Sequence, residues 1–409
     1  MSHSGVGRAG PGRGFTSAPR AASATFSQEL IDRILGDTDK DTLKSCALVA
    51  RSFRTTSQKL IFSDLTILPP GCDSIPALQR LANLLSASPH LALHVRTLRL
   101  VQPSFYAPCV WMQSDILPVI LPLFTHLASL RISIYNWDFF HSDCEQAIHT
   151  LITQSQLSSI ELEEARFQTN VKLLAFLQCY PASLQFASLR HVYTHRSNLN
   201  DAFIEFDPLH LTSLHIDSHA SAPYHWAMRA VDPKHLRDLQ TDAQKSTLKF
   251  VQRLLDGAVH VETYHISLRD SFFNRQTTNL RSMPSLRTFE LSVELEWAEI
   301  HKAQGRYNPL NDVTRTLTTA PQTVEHLILN LQIRHSDDWG RFLDYPLRDH
   351  PLEGLGERRP ALRDVVVRIV LRHEPPALQQ GIQYLKQLFH RLENRGMLTA
   401  VIIHPAAGQ

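Results

Sequence analysis

The 409-residue chain predicts an α/β repeat, parallel strands joined by crossover helices, behind a small three-helix N-terminal module. Three observations predict it. Apolar residues at helical spacing crowd into residues 26–68; short apolar strands then alternate with amphipathic helical faces; and those strands share one spacing of apolar residues. A strand–helix–strand order repeated many times requires parallel pairing, because each strand returns to the same direction through a crossover.

Residues 1–25 are rich in Gly, Ser, Ala and Arg and hold no acidic residue. Five glycines and two prolines there oppose a stable amphipathic helix, so the composition reads as a flexible tail rather than a transit peptide. The tail contains a literal G-x-G-x-x-G (Gly5, Gly7, Gly10) with neither a strand before it nor a helix after it, so it is no dinucleotide site. Leu30, Ile31, Ile34 and Leu35 form the first helical stripe; Leu43, Ala47 and Ala50, flanked by Leu48, Val49 and Phe53, form the second. Asp37, Asp39 and Asp41 stand where the second helix begins, favourable for its dipole. A third helix is expected from Arg51 to Leu60, then an extended piece around Leu65 to Leu68, closed by Pro69, Pro70 and Gly71.

From residue 69 to 409 the strands fit the leucine-rich-repeat core: an apolar residue, two free positions, an apolar residue, one free position and a third apolar residue. Eleven segments can be laid on it, beginning at Val95, Leu127, Leu157, Leu189, Leu211, Leu236, Val261, Leu286, Val324, Leu362 and Leu398, with Thr194 and Thr241 in the last slot of two of them. Three such slots match by chance about once in 27 windows, so the pattern needs the helical faces between the strands to carry it. Those faces are present: Ile148, Leu151 and Ile152; Val171, Leu174, Phe176 and Leu177; Val251, Leu254 and Leu255 before the helix stop Gly257; and Ile382, Leu385, Phe389 and Leu392. The expectation is an irregular horseshoe. Its last strands, Leu327–Ile333, Val365–Leu371 and Ala400–His404, are apolar at nearly consecutive positions. Either their concave side is covered, or they form a small sheet with helices on both faces.

Composition narrows the function. Lys+Arg 41 against Asp+Glu 39 leaves a formal charge of +2, without the basic excess of a nucleic-acid binder. Five scattered cysteines (Cys46, Cys72, Cys109, Cys144, Cys179) with no C-x-x-C pair fit reduced thiols in the cytoplasm or nucleus. The longest apolar run, Ile116 to Phe124, is nine residues with two prolines, too short to span a membrane. No G-x-S-x-G, Walker A, H-E-x-x-H or EF-hand loop occurs, so no catalytic residue and no cofactor is expected.

FSQELIDRIL (Phe26–Leu35), LKSCALVARSFR (Leu43–Arg54) and KLIFSDLTI (Lys59–Ile67), in that order and at that spacing, resemble an F-box. The following Leu78–Leu100 looks like the helix and first repeat that come after the F-box in many fungal proteins of this type. F-boxes usually open with Leu-Pro, where this chain has Phe26-Ser27; a serine can cap the helix instead by accepting a backbone N–H. The resemblance implies docking on the Skp adaptor, and through it on a cullin and its RING subunit. The residues expected to carry it are Phe26, Leu30, Ile31, Ile34, Leu43, Leu48, Val49, Phe53, Leu60, Ile61 and Phe62, since so small a unit cannot bury them all.

The repeats would then hold a target protein. Side chains between the second and third slots point away from the core, and their column reads Arg99, Arg131, Glu161, Tyr193, His215, Gln240, His265, Glu290, Ile328, Val366 and Ile402. Eleven strands at ~4.8 Å would give an arc of roughly 50 Å, long enough for a protein partner. The mid-array residues Glu161, His191, Tyr193, His195, His215, Asp217, Gln240, Asp242, His265 and Glu290 are the expected target-binding set. The 22 histidines invite a metal reading, but residues four apart on a strand, such as His191 and His195, lie ~13 Å from one another, too far to share one ion. Neighbouring strands could bring His191, His215 and His265 together, yet no supporting ligands can be read from the sequence, and no metal is expected. The expected function is therefore a non-catalytic substrate receptor of an SCF-type ubiquitin ligase. The alternative is a repeat scaffold for protein interaction with no part in ubiquitin transfer.

Overall fold

The computed structural model describes residues 27–67, 75–102, 110–196, 205–218, 220–244, 246–268, 278–295, 309–333, 359–371 and 378–403. The expected tail, Phe26, Cys72, Cys109 and His404 lie outside these residues. The chain divides into two compact units, Met1–Ile61 and Phe62–Gln409.

The first unit holds α1 (Gln28–Gly36), α2 (Lys40–Val49) and α3 (Arg51–Ser63) up to Ile61, which follow the three stripes; Phe62 and Ser63 of α3 belong to the second unit. Ser27 caps α1 as its chemistry suggested, its Oγ accepting from the Leu30 N–H at 3.3 Å. Asp39 caps α2 by accepting from the N–H groups of Asp41 and Thr42, both at 3.0 Å. Hydrogen bonds from Thr42, side chain first, hold the Asp39 carboxyl below its ordinary range. Ala50, in an extended conformation, breaks the chain between α2 and α3. The core of this unit is Ile31, Leu35 and Leu43, with Cys46, Phe53, Leu60 and Ile61 packed around it. Asp32 ties α1 to α3 by accepting from Thr56 Oγ1 at 2.6 Å.

The expected extended piece around Leu65 is found as far as Ile67, and Leu68, Pro69, Pro70 and Gly71 lie outside the described residues. This piece is strand β1 (Asp64–Ile67), which pairs in parallel with β2 (Thr97–Val101) at the edge of a large sheet. Beyond β2 run β3 (Ser129–Ser133), β4 (Ser159–Glu163), β5 (Arg166–Thr169), β6 (Phe186–Arg190), β7 (Tyr193–Arg196), β8 (Ser213–Asp217), β9 (Asp238–Ala243) and β10 (Thr263–Leu268). β11 (Thr288–Leu295), β12 (His326–Ile333), β13 (Asp364–Leu371) and β14 (Leu398–Ile403) complete the series. Twelve of these form one parallel sheet in the order β1-β2-β3-β4-β6-β8-β9-β10-β11-β12-β13-β14, and β5 pairs with β7 in a second sheet of two strands. The crossovers carry helices such as α4 (Ile75–Ala87), α5 (Ile116–Ile120), α6 (Ser142–Gln154), α7 (Asn170–Gln178), α8 (Ala222–Ala230) and α9 (Leu248–Gly257). The predicted α/β repeat is thus the fold, with strand β1 added.

One backbone device repeats along it. The carbonyl of the residue after each first slot accepts from two successive N–H groups of the next repeat: Arg96 from Ala128 and Ser129, Ala128 from Ser158 and Ser159, Ser158 from Gln185 and Phe186, Gln185 from Thr212 and Ser213, and so on to Glu325. This ladder corrects two of the expected registers. The fourth repeat begins at Leu184, not Leu189; its slots are Leu184, Ala187 and Leu189, all buried. Alanine in the middle slot hid it from an apolar search. The last segment is likewise displaced, for Leu398 pairs with Val365, a second-slot residue.

From β2 to β13 the slot side chains are buried and most residues between them are half-exposed, an alternation that runs unbroken along β13. The C-terminal strands therefore continue the one sheet instead of forming a second one. Their apolar run arises because Ile328 and Val366 occupy half-exposed positions between the slot residues. Thr241, the polar exception in a third slot, is explained by Tyr264: the two hydroxyls are 2.9 Å apart and both residues are fully buried. Thr241→Val should cost about 1–3 kcal/mol by leaving the Tyr264 hydroxyl unmatched, and the double variant with Tyr264→Phe should cost less than Thr241→Val alone. Urea unfolding of the cycle measures this; additive losses would show that the pair is not coupled.

Candidate functional site

The half-exposed face of the sheet is built by register. Its central column is Arg99, Arg131, Glu161, Ser188, His215, Gln240, His265, Glu290, Ile328, Val366 and Thr399, of which Ser188 is buried and Arg99 and Thr399 are exposed. Ser188 stands where Tyr193 was expected, and Thr399 where Ile402 was. Tyr193 and His195 belong to β7 of the two-stranded sheet, Tyr193 opposite Arg166. His191 sits on neither strand. It turns the chain after β6 with φ 53°, in the left-handed region, and Glu164 does the same after β4 with φ 55°. Each donates its N–H to the end of the next strand, Glu164 to the Arg190 carbonyl and His191 to that of Asp217.

Three groups of charge populate the face. Glu161 and Glu163 lie between Arg131 and Arg190: Arg190 is 3.0 Å from Glu163, Arg131 bonds Glu163 directly, and Glu161 stands 3.8 and 4.0 Å from the two guanidinia. His215 Nε2 is 3.0 Å from Asp238 Oδ2, which also accepts from Ser213 Oγ at 2.8 Å. Burial alone would raise the Asp238 carboxyl, but the bonds from His215 and Ser213 outweigh it and hold the group below its ordinary range. Farther along, His265 Nε2 meets Ser292 Oγ at 2.9 Å, and Glu290 takes Asn330 Nδ2 at 2.5 Å with Arg368 at 3.8 Å. Asp217 and Asp242 are the most enclosed acids of the expected set; Asp242 is fully buried and accepts from Gln244 at 3.3 Å.

Ser213, His215 and Asp238 have the residue types of a hydrolytic triad but not its wiring. A triad uses one imidazole nitrogen for the acid and the other for the serine. Here the same Nε2 faces Asp238 at 3.0 Å and Ser213 at 3.3 Å, and serine and histidine share one carboxylate oxygen. The group is a hydrogen-bonded clip between β8 and β9. Arg131, Glu163 and Asp238, expected in or beside the column but not in the target-binding set, belong to this face, and so do Arg190, Ser213, Asn330 and Arg368, which the sequence did not single out. Placing the fourth repeat at Leu184 would have brought out Ser188 and Arg190, since the same spacing then selects them.

Burial pushes the His265 imidazolium down, against the opposing pull of Glu290, and burial likewise lowers His149 and His225. The sign follows: the unfolded chain takes up these protons near 6.5 while the folded one resists, so stability present above that pH is lost as pH falls below it. The urea midpoint should therefore be lower at pH 5.5 than at pH 7.5, and His265→Gln should reduce that difference. An equal midpoint at both values would contradict it.

In the helical unit, Leu30, Ile34, Leu48 and Val49 are 43, 57, 85 and 77% exposed. Ile31 and Leu43, from the same expected set, are buried in its core, and Phe53, Leu60 and Ile61 pack against that core. Phe62 packs instead on the core of the repeats. Among the described residues Cys46, Cys144 and Cys179 are free thiols, and burial, with Asp143 and Asp115 nearby, pushes Cys144 up to about 11, far from a reactive thiolate. No helix among the described residues is long and apolar enough to cross a membrane.

No family model matches the chain, an F-box model included, and no curated protein sequence matches it. Among solved structures, the leucine-rich repeat-containing protein LegL7 from Legionella pneumophila is similar at 12% identity and a TM-score of 0.39, over 80% of this chain and 98% of that one. A likeness that remote carries no functional argument; the repeat fold rests on the sheet and its ladder.

Proposed function

We propose that this chain is the substrate-recognition subunit of an SCF-type ubiquitin ligase. The helical unit docks on the Skp adaptor, which bridges to a cullin, and the half-exposed sheet face holds a target protein. One observation carries the reading: a three-helix unit whose core buries Ile31, Leu35 and Leu43 leaves Leu30, Ile34, Leu48 and Val49 in water. Four large apolar side chains left exposed on so small a unit are what a partner surface requires. The resemblance of the same segments to an F-box names the partner. The chain's own part is proximity: it raises the local concentration of a target beside a charged transfer enzyme and supplies no acid, base or nucleophile. That role belongs in the cytoplasm or nucleus.

The face suited to the target is polar. Its charges are already matched in pairs, so a partner gains from complementary placement of charge more than from a large apolar patch. A second reading, a repeat scaffold with no part in ubiquitin transfer, is favoured by the Phe26-Ser27 opening in place of Leu-Pro and by the absence of a matching F-box model. Co-expression of the full chain with the Skp adaptor separates the two. A one-to-one complex through size-exclusion chromatography supports the receptor; folded chain eluting alone gives the scaffold the lead.

A further inference from the structure

We infer that His210, Asp232 and His235 form a divalent transition-metal site of the zinc class, joining two successive repeats. One ligand atom from each of the three lies within 4.8 Å of the others. His235 Nε2 is 3.5 Å from Asp232 Oδ2, and the His210 and His235 rings are 4.4 Å apart. Ligands on a tetrahedral zinc are separated by about 3.4 Å, so modest rotation of exposed side chains closes the set. Two neutral imidazoles and one carboxylate are the donors that late first-row cations prefer, and hard cations such as Ca²⁺ would find too few oxygens here. The fourth position is open to water, because His210 and His235 face solvent.

The backbone holds the donors in place before any ion arrives. Leu209 and Val231 form a parallel bridge, with the Leu209 N–H on the Ala230 carbonyl at 2.6 Å and the Asp232 N–H on the Leu209 carbonyl at 3.0 Å. Asp232 also caps the turn Pro233–His235, its Oδ1 accepting from the Lys234 N–H at 3.1 Å, which leaves Oδ2 toward His235. Both histidines stand one residue before a first slot, Leu211 and Leu236, so the repeat itself brings them side by side. His126 has the same place before Leu127 and His260 before Val261. The carboxylate singles out the 210–235 pair. In the next repeat the position matching Asp232 is Gly257, where a Cβ would stand 2.5 Å from Pro233 Cγ, so no acid fits there. No metal was expected, either from histidines four apart on one strand or from His191, His215 and His265 on neighbouring strands; this set comes from the bridge and turn that precede two successive repeats.

The test is equilibrium dialysis of the untagged full chain against ZnCl₂, with Co²⁺ as a spectroscopic probe. One Zn²⁺ per chain is expected, with a tetrahedral Co²⁺ band. His210→Ala and His235→Ala should each raise the Kd roughly tenfold or more, and Asp232→Asn, which keeps the turn cap, should raise it less. His126→Ala should leave it unchanged, and zinc should raise the melting temperature of the parent and of His126→Ala much more than that of His210→Ala or His235→Ala. No saturable uptake, or equal uptake by the parent and both histidine variants with unaltered circular dichroism, overturns the site.

Discussion

Leu48→Asp combined with Val49→Asp should abolish capture of the Skp adaptor while the melting of the full chain stays where it was. Both side chains are more than three-quarters exposed at the C-terminal end of α2, so the substitutions cost the free protein little. A central apolar contact at an interface is worth about 2 kcal/mol or more on truncation, and a buried unpaired carboxylate costs further. Two such changes should weaken the complex by roughly a hundredfold or more, enough to lose it in a pull-down. Ile31→Asp makes the contrast: it places a charge in the core beside Leu35 and Leu43, so it should unfold the helical unit and lose the adaptor for that reason. Circular dichroism separates the two losses. Undiminished capture by the double variant removes the exposed face from the interaction and, with it, the observation on which the receptor reading rests.

Trp137→Ala should be the most damaging single truncation in the repeats, at about 3–5 kcal/mol. The indole is buried, stacked on Phe167 at 5.0 Å, edge-on to Phe176 at 4.7 Å and to Phe140 at 5.1 Å, and its Nε1 donates to Glu145 at 3.0 Å. The rings continue through Tyr180 to Trp226, so one aromatic chain runs from the turn after β3 to α8. A repeat array is held by contacts between neighbours, so a cavity there weakens the junctions on either side. Trp137→Phe keeps much of the ring packing and gives up the bond to Glu145, and should cost clearly less. Urea unfolding of both variants measures this. An alanine variant within about 1 kcal/mol of the parent would show that the neighbouring rings close the cavity.

Much of this architecture is written in local sequence. Capping serine and aspartate followed by apolar stripes determine α1 and α2, because both signals act within one or two turns. The three-slot spacing determines the strands, since burial on one face requires alternation over five or six residues. Nine of the eleven expected registers agree with the strand pairing on that basis. The fourth register needed the tertiary structure because Ala187 gives no apolar signal; only hydrogen bonds to β4 and β8 select Leu184 as its start. The same holds for Tyr193, which the displaced register put in the column and which pairs instead with Arg166 on the second sheet, and for His191, whose left-handed turn leaves it on neither strand. Pairs such as Arg190 with Glu163, His215 with Asp238 and His210 with His235 join residues 23 to 27 positions apart. No short window holds both members, and their meeting depends on the length of each crossover. Which apolar side chains of the helical unit face water was decided in the same way: Ile31 and Ile34 lie on one helix, and only the packing of α2 and α3 buries the first and leaves the second exposed.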